Sequence, residues 1–475
     1  MVRYSIKADK LYPWLLLAVI VSVVGMVTWQ ALSMTHSSSQ ALPWLRLMKS
    51  SLGMSLSFIA MLTLAWRICF AMRYKAYPPV QTAFLPTVSV IIPAFNEGSQ
   101  ILDTVRSVMT SRYPSKKLQV ICVDDGSADD TWRWMVMAHK QFPKNVQLIR
   151  QPANSGKRHA LMAGFAQATG QVFVTIDSDS EVLPDTLRHL VSPFVADPRV
   201  GSVAGNVRVL NMDEGAIPKM MEVSFTSAFD FIRVGQSVYG GVFCTPGALS
   251  AYRAEILKPL LAGWSVQTFM GKPANIGEDR ALTNLVIASG LRVVYQRDAV
   301  VLTKVPVNFT GLRRMLLRWA RSNVRENLVM FGYVFGRFRA NDSGSNWVRL
   351  FSITQMMRMT FTEAFKCAVM VQFILEPLGT LIVLAGGAVL SAIMPAIIHF
   401  LRHGGWFGLK WSLPFSFFWL ACLWWIPLWG IFTSSQSGWL TRGASNKAPQ
   451  FEPAAAAVMS ASANVGQPKI SARAA

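Results

Sequence analysis

Charge is what this chain has least of. Charged residues make up 15% of it and hydrophobic ones 52%, whereas ordinary soluble domains carry about 25% charged residues. That balance argues against a wholly soluble chain and points to a membrane. Acidic residues are the scarcer sign, 25 against 46 basic, which leaves a net charge of +21. No nucleic-acid recognition motif accompanies the excess, and Lys and Arg flank apolar runs instead. Positive-inside loops and contact with anionic lipid explain the charge better than nucleic acid does. Cysteine is sparse too: Cys69, Cys122, Cys244, Cys367 and Cys422 are scattered, with no C-x-x-C pair. That spacing leads us to expect neither a zinc site nor a disulfide framework. There is no internal repeat. A chain of 475 residues is long enough for two or three domains and a large core.

Two apolar runs open the chain. Arg3, Lys7 and Lys10 precede Leu11 to Met34, which contains no charged residue and is long enough to cross a bilayer core of about 30 Å. A cleavable signal peptide is the alternative, since the Ala31-Leu32-Ser33 run contains suitably small residues. The apolar core, however, exceeds the roughly 7–15 residues of a signal. A second span is expected at Ser51 to Met72, with Arg67 near its end able to snorkel. Arg73 and Lys75 follow it, and the balance of basic residues places the N-terminus and everything after Met72 in the cytoplasm.

From Thr87 the pattern changes to short apolar runs alternating with helical ones. Val88–Pro93, Leu118–Val123, Val146–Ile149 and Val172–Ile176 lack strict alternation, as in strands buried on both faces. Ser99–Thr110, Asp129–Lys140 and Lys157–Ala168 carry helical periodicity between them. The alternation predicts a parallel sheet with helices on both sides. Such sheets bind ligands beyond the carboxyl ends of their strands. The polar residues gather there: Asn96 and Glu97, then Asp124 to Ser127, then Asp177 and Asp179. Any one of these could be a plain turn or helix cap, and their convergence on one edge is the stronger signal. The Asp177-Ser178-Asp179 turn offers two hard carboxylates at i and i+2, suited to Mg²⁺ or Mn²⁺ bridged to a substrate's phosphates.

Further along, Ile217–Gln236 reads as helix and leads to the loop Gly240–Gly247. Gly277-Glu278-Asp279-Arg280 opens another helix, before a strand at Leu291–Tyr295. In Leu312–Glu326, Arg314, Arg318, Arg321 and Arg325 fall on one helix face. Such a stripe suits either anionic headgroups or a phosphate-bearing substrate. Trp347–Lys366 reads as an interfacial helix, Cys367–Phe400 as one span lying mostly after Glu376, and Leu413–Phe432 as a tryptophan-dense fourth span. The Ala- and Ser-rich tail from Ala444 is expected to be disordered.

Several of these motifs occur in a recognisable order: Pro93–Glu97, Val123–Ser127, Asn154–Arg158, Asp177–Asp179 and Gly277–Asp279. Together they resemble the family-2 glycosyltransferases, specifically the processive membrane synthases of hyaluronan, chitin oligosaccharides and poly-N-acetylglucosamine. Gly277–Asn284 and Leu317–Ser322 are similar to the hyaluronan and chitin-oligosaccharide branch. Trp439–Gly443 resembles a gating motif after the last span. One departure stands out: where the family has Q-x-x-R-W, this chain has Met315 before Arg318 and Trp319.

The resemblance implies an α/β fold, a Rossmann-like nucleotide-sugar transferase domain of GT-A type set between transmembrane helices. The expected divisions are 1–83 for two N-terminal spans, 84–340 for the cytoplasmic transferase, 341–443 for the C-terminal spans and 444–475 for the tail. It also implies a UDP-sugar donor, a growing polysaccharide as acceptor, and an inner or plasma membrane location. Glu97, Asp125, Lys157, Asp177 and Arg318 would bind the nucleotide sugar, Trp319 and Glu278 the acceptor, and Asp179 the metal. Asp279 would be the general base, with Glu278 otherwise no more than a helix-start carboxylate. A single base without a carboxylate nucleophile implies one in-line displacement that inverts the anomeric centre. Two other expectations stay open: a non-processive transferase that adds one sugar to a lipid carrier, and a non-catalytic membrane subunit.

Overall fold

A computed structural model of the chain describes residues 53–436 apart from 337, 340, 341 and 376. The expected first span, the gating motif and the tail lie outside those residues. Helix α1 (Gly53–Arg73) covers the second expected span. Its end packs on the rest of the molecule through Trp66, which stacks on Tyr239 and Trp347 at ring separations of 6.3 and 5.9 Å. The connector that follows is fastened by Tyr77, which exchanges main-chain hydrogen bonds with the Gln296 amide at 3.1 and 2.8 Å.

The predicted strands and helices then appear in order. They are β1 (Val88–Ala94), α2 (Gln100–Met109), β2 (Leu118–Asp124), α3 (Thr131–Gln141), β3 (Val146–Arg150), α4 (Lys157–Gln167) and β4 (Val172–Thr175). Every residue of β1 and β4 is buried, as uninterrupted apolar runs require. The four strands are parallel in the order β3-β2-β1-β4. The register pairs Ala94 with Asp124 and Ile91 with Thr175. The chain therefore leaves all three central strands at one edge, and the motif residues meet there.

Beyond β4 the sheet departs from the all-parallel expectation. It continues with β5 (Ser180–Val182), α5 (Thr186–Ala196), β6 (Val200–Val209), α6 (Ala216–Ser227), α7 (Val234–Val238), β7 (Ser250–Arg253), α8 (Ala254–Ser265), the hairpin strands β8 (Thr268–Phe269) and β9 (Lys272–Pro273), α9 (Glu278–Ala288) and β10 (Arg292–Thr303). The full order is β3-β2-β1-β4-β7-β6-β10-β5, with β7 antiparallel to both β4 and β6, and β5 antiparallel to β10. The mixed sheet arises because β7 is a four-residue strand that returns between two others. Its sequence, Ser-Ala-Tyr-Arg, carries no apolar run to announce it.

The C-terminal part is helical: α10 (Phe309–Val334), α11 (Gly344–Met357), α12 (Glu363–Leu375), α13 (Pro377–His403), α14 (Phe407–Phe418) and α15 (Ile426–Phe432). Among the described residues, α13 is long and apolar enough to cross a membrane, with a mean hydropathy of 2.4. The expected fourth span is instead broken: Phe407–Leu423 and Ile426–Phe432 meet at a 40° bend. The break coincides with wider helical turns at Trp419–Leu423 and with Pro427 in the first turn of α15, both causes of kinks. A Cβ at Gly430 would come within 2.7 Å of Ala320, so the absent side chain lets α15 lie directly on α10.

Candidate active site

The loops at the carboxyl edge of the sheet are tied together in pairs. Asp125, at the end of β2, is buried, and its two carboxylate oxygens accept the main-chain N–H groups of Ser155 and Gly156 at 2.9 and 2.8 Å. Gly126, at φ +72°, brings the turn so close that a Cβ there would sit 2.6 Å from the Asn154 nitrogen. This backbone position needs glycine on both counts. Burial pushes the Asp125 carboxyl up to about 6, against the pull of those two amides. After β1, Asn96 adopts φ +52° and its amide oxygen accepts from the Ala128 N–H at 2.9 Å. Glu97 accepts the hydroxyl of Ser178 at 2.8 Å, joining the β1 loop to the acidic turn after β4.

Lys157 stands at the centre. Its ammonium pairs with Asp177 and lies 3.2 Å from a Glu278 oxygen. One cation thus bridges the turn after β4 and the start of α9, segments a hundred residues apart in sequence. Burial alone would lower the pKa of the lysine, but Asp177 and Glu278 together hold it above its ordinary value. Burial would likewise raise Glu278, and the charges of Lys157 and Arg318 reverse that and hold its carboxyl low. Glu278 and Lys157 are therefore both ionised at neutral pH.

Asp179 and Asp279 behave differently. Lost hydration and the neighbouring Asp177 raise Asp179 to about 6, although Thr303 donates to it at 3.2 Å. Asp279 is raised by burial and by Glu278. One of its oxygens accepts the Arg280 N–H at 2.7 Å, and the Cys244 thiol lies 3.6 Å from the other. Carboxylates with neighbouring environments and opposite shifts mark out different roles: Glu278 as a fixed charge, Asp279 as a group able to take up a proton.

Asp177 and Asp179 fit a divalent cation chemically. Both are hard oxygen donors, and Mg²⁺ or Mn²⁺ takes one or two protein carboxylates and completes its shell with substrate phosphates and water. Among the described residues no group of three or more such side chains forms a self-sufficient metal site. Any cation held here needs the substrate's oxygens as well.

The structure thus brings Glu97, Asp125, Lys157, Asp177, Asp179, Glu278 and Asp279 to one edge. Arg318 is half-buried, its charge acting on Glu278, and Trp319 is 38% exposed with its ring 6.3 Å from that of Phe225. The arginine stripe, by contrast, is no single interfacial face. Only Arg314 is exposed. Arg321 is buried and donates to Thr433 and Gln436 at 2.9 and 2.6 Å, while Arg325 is buried against the Ile276 carbonyl and Glu326. The four do lie on one helix, but its buried pair, Arg321 and Arg325, packs against protein, on the segments bordering α15 and α9.

Two contributors escaped the sequence reading. Thr303 ends β10 and donates to Asp179, and a lone threonine at a strand end gives no signal. Gly247 lies in the glycine-rich loop noted from sequence, where its closeness to the lysine could not be seen. A Cβ at Gly247 would sit 2.6 Å from the Lys157 ammonium and 3.3 Å from Asp177. Gly247→Ala is expected to displace the lysine and to weaken binding of the UDP-sugar that the resemblance implies by about tenfold, an energy near 1.4 kcal/mol. Calorimetric titration with UDP checks it; an unchanged affinity would mean the lysine moves freely.

Residues 89–261 match glycosyl transferase family 2. The chain is 37% identical over 255 residues to an N-acetylglucosaminyltransferase of Rhizobium meliloti (strain 1021), covering 54% of this chain and 59% of that protein. It is 33% identical over 247 residues to a hyaluronan synthase of Streptococcus pyogenes, covering 51% of this chain and 58% of that one. The chain therefore spans about three fifths of the length of these curated relatives. Among solved structures, the mannosyltransferase PcManGT from Pyrobaculum calidifontis, in complex with GDP-Man and Mn²⁺, superposes with a TM-score of 0.49 at 21% identity over 75% of this chain and 95% of that one.

Proposed function

We propose, on the premise that residues 89–261 form a family-2 glycosyl transferase domain, that the chain is an inverting membrane glycosyltransferase. In this reading it uses a UDP-sugar, UDP-N-acetylglucosamine alone or together with UDP-glucuronate, to extend and export a β-linked polysaccharide. The observation that carries the proposal is the bridge made by Lys157 between Asp177 and Glu278. It holds the donor-side carboxylates and the Glu278-Asp279 pair at one point, where a sugar's anomeric carbon must meet both the leaving diphosphate and the acceptor hydroxyl.

The roles follow from the chemistry. Asp125 and the Ser155-Gly156 loop shape the nucleoside end. Lys157 and Arg318 supply positive charge to the diphosphate, and Lys157 is freed from Asp177 when phosphate oxygens take its place. Asp279, with its raised proton affinity, removes the acceptor hydroxyl's proton as the bond forms. A divalent cation on Asp177 and Asp179 would neutralise charge on the leaving diphosphate. With one base and no carboxylate nucleophile, a single displacement inverts the anomeric centre. Trp319, exposed beside the site, offers a ring face for the acceptor sugar. Met315, where the resembling synthases have glutamine, is buried in the core, so no amide reaches the acceptor from this position.

The membrane part of the proposal rests on α13 and the bent α14–α15 pair, with α1 and the apolar run Leu11–Met34 as further spans. The proposed divisions are membrane helices before residue 84 and after residue 340, with the catalytic domain between them on the cytoplasmic side. Because α15 lies on α10 beside Arg318 and Trp319, the acceptor site opens next to the C-terminal helices, as export requires. Sizing the radiolabelled product made from individual UDP-sugars tests the polymer: long chains are expected, and a single transferred sugar would contradict it.

The arginine positions give a sharper check. A guanidinium meets phosphate oxygens through two parallel hydrogen bonds that an ammonium cannot reproduce. Arg318→Lys is expected to lose most activity, whereas exposed Arg314→Lys stays near wild type in the same lipid. Equal losses at both positions would remove Arg318 from the site.

A further inference from the structure

Five hydroxyl groups run through the interior from the donor side of the site to its base. The Thr175 and Ser250 oxygens are 2.6 Å apart, Ser250 donates to Tyr252 at 3.2 Å, and Tyr252 and Thr245 are 2.9 Å apart. Thr245 and Thr283 follow at 2.8 Å, and Thr283 donates to the main-chain carbonyl of Asp279 at 2.7 Å. Every member is buried, at 4% exposure or less. Thr175 and Ser250 are register partners across β4 and β7, Thr245 lies in the loop after α7, and Thr283 is on α9.

The chain has one proton order. A carbonyl only accepts, so the Thr283 hydroxyl must donate to Asp279. Thr283 then accepts from Thr245, whose N–H also donates to it at 3.1 Å. Thr245 accepts from Tyr252, Tyr252 from Ser250, and Ser250 from Thr175. Burial pushes the Tyr252 hydroxyl further above its ordinary value, so the middle link keeps its proton across the working pH range. Aligned hydroxyls polarise one another, which stiffens the whole row. Packing alone would not require them, because valine and phenylalanine fill the same volumes with no buried polar group to satisfy.

We propose that Thr175, Ser250, Tyr252, Thr245 and Thr283 form a positioning chain that sets the Asp279 main chain, and with it the base, at a fixed offset from the Asp177–Asp179 turn. Thr175 stands two residues before that turn, so β4 and α9 are held in register through the interior. None of the five touches substrate; they act through Asp279. The inference rests on the transferase reading above for its catalytic consequence, though not for the existence of the link.

The test uses the full-length protein in lipid. Tyr252→Phe and Thr283→Val are each expected to lower kcat by about 10- to 100-fold, the scale of a small misplacement of a catalytic group, with the KM for the UDP-sugar unchanged. The double variant should be no slower than the worse single one, and Thr283→Ser should restore kcat. Hydrogen exchange at residues 244–250 and 277–284 should quicken in Tyr252→Phe with donor absent, whatever reaction the site performs. Unchanged exchange, wild-type kcat in Tyr252→Phe, or losses that simply multiply in the double variant would each overturn the proposal. If the wild type turns over no nucleotide sugar, the transferase reading fails, and the exchange measurement still decides whether the link exists.

Discussion

Asp279→Asn is expected to lose glycosyl transfer by about 10²–10⁴-fold, the usual cost of removing a general base, while nucleotide binding persists. The amide keeps the size of the side chain and its hydrogen bond from the Arg280 N–H, so the opening turn of α9 should form as before. What it cannot do is take a proton. Asp279 suits that role because burial and the Glu278 charge raise its proton affinity, whereas Glu278 is held ionised by Lys157 and Arg318. Initial rates at saturating donor, beside UDP titrations, check this. A dead Glu278→Gln with an active Asp279→Asn would exchange the two assignments.

Asp179→Asn should abolish transfer together with any stimulation of nucleotide binding by Mg²⁺ or Mn²⁺. Its carboxyl, raised to about 6 by lost hydration and by Asp177, also predicts opposite pH trends. A cation needs the carboxylate, so metal-dependent UDP affinity should rise as pH increases from about 5 to 7. Folding without ligand follows the reverse sign. A carboxyl whose folded pKa is raised contributes stability that is full below its unfolded value, near 3.9, and lost as pH rises through about 6. Asp125, raised to about 6 by burial, pulls the same way. Thermal unfolding and UDP titration across pH 4–8 measure both. Wild-type turnover after complete removal of divalent cations would sink the metal assignment.

The N-terminal half of the domain was legible in sequence because its strands are uninterrupted apolar runs and its polar motif residues sit immediately after them. Val88–Pro93 and Leu118–Val123 needed only one residue added at an end, since buried parallel strands leave little choice of residue. The C-terminal half was harder. β7 is short and polar, and β6 is interrupted by Gly201 and Gly205, so neither shows the periodicity of an isolated strand. That is why the sheet was expected to be wholly parallel. The arginine spacing on α10 correctly gave one face, but spacing cannot say what a face meets. Arg321 and Arg325 turned out to meet protein. Nor could the Lys157 bridge be read from sequence, because its partners Asp177 and Glu278 are a hundred residues apart and come together only through the sheet order.

Donor cleavage is the most direct test of glycosyl transfer at this site. Purified protein in lipid, given UDP-N-acetylglucosamine and Mn²⁺, should release UDP and place label in a β-linked product. Lys157→Met, which removes the cation joining both halves of the site, should release none above background although it still inserts in the membrane. UDP release by Lys157→Met at the wild-type rate, or no release by the wild type from any nucleotide sugar, would contradict it.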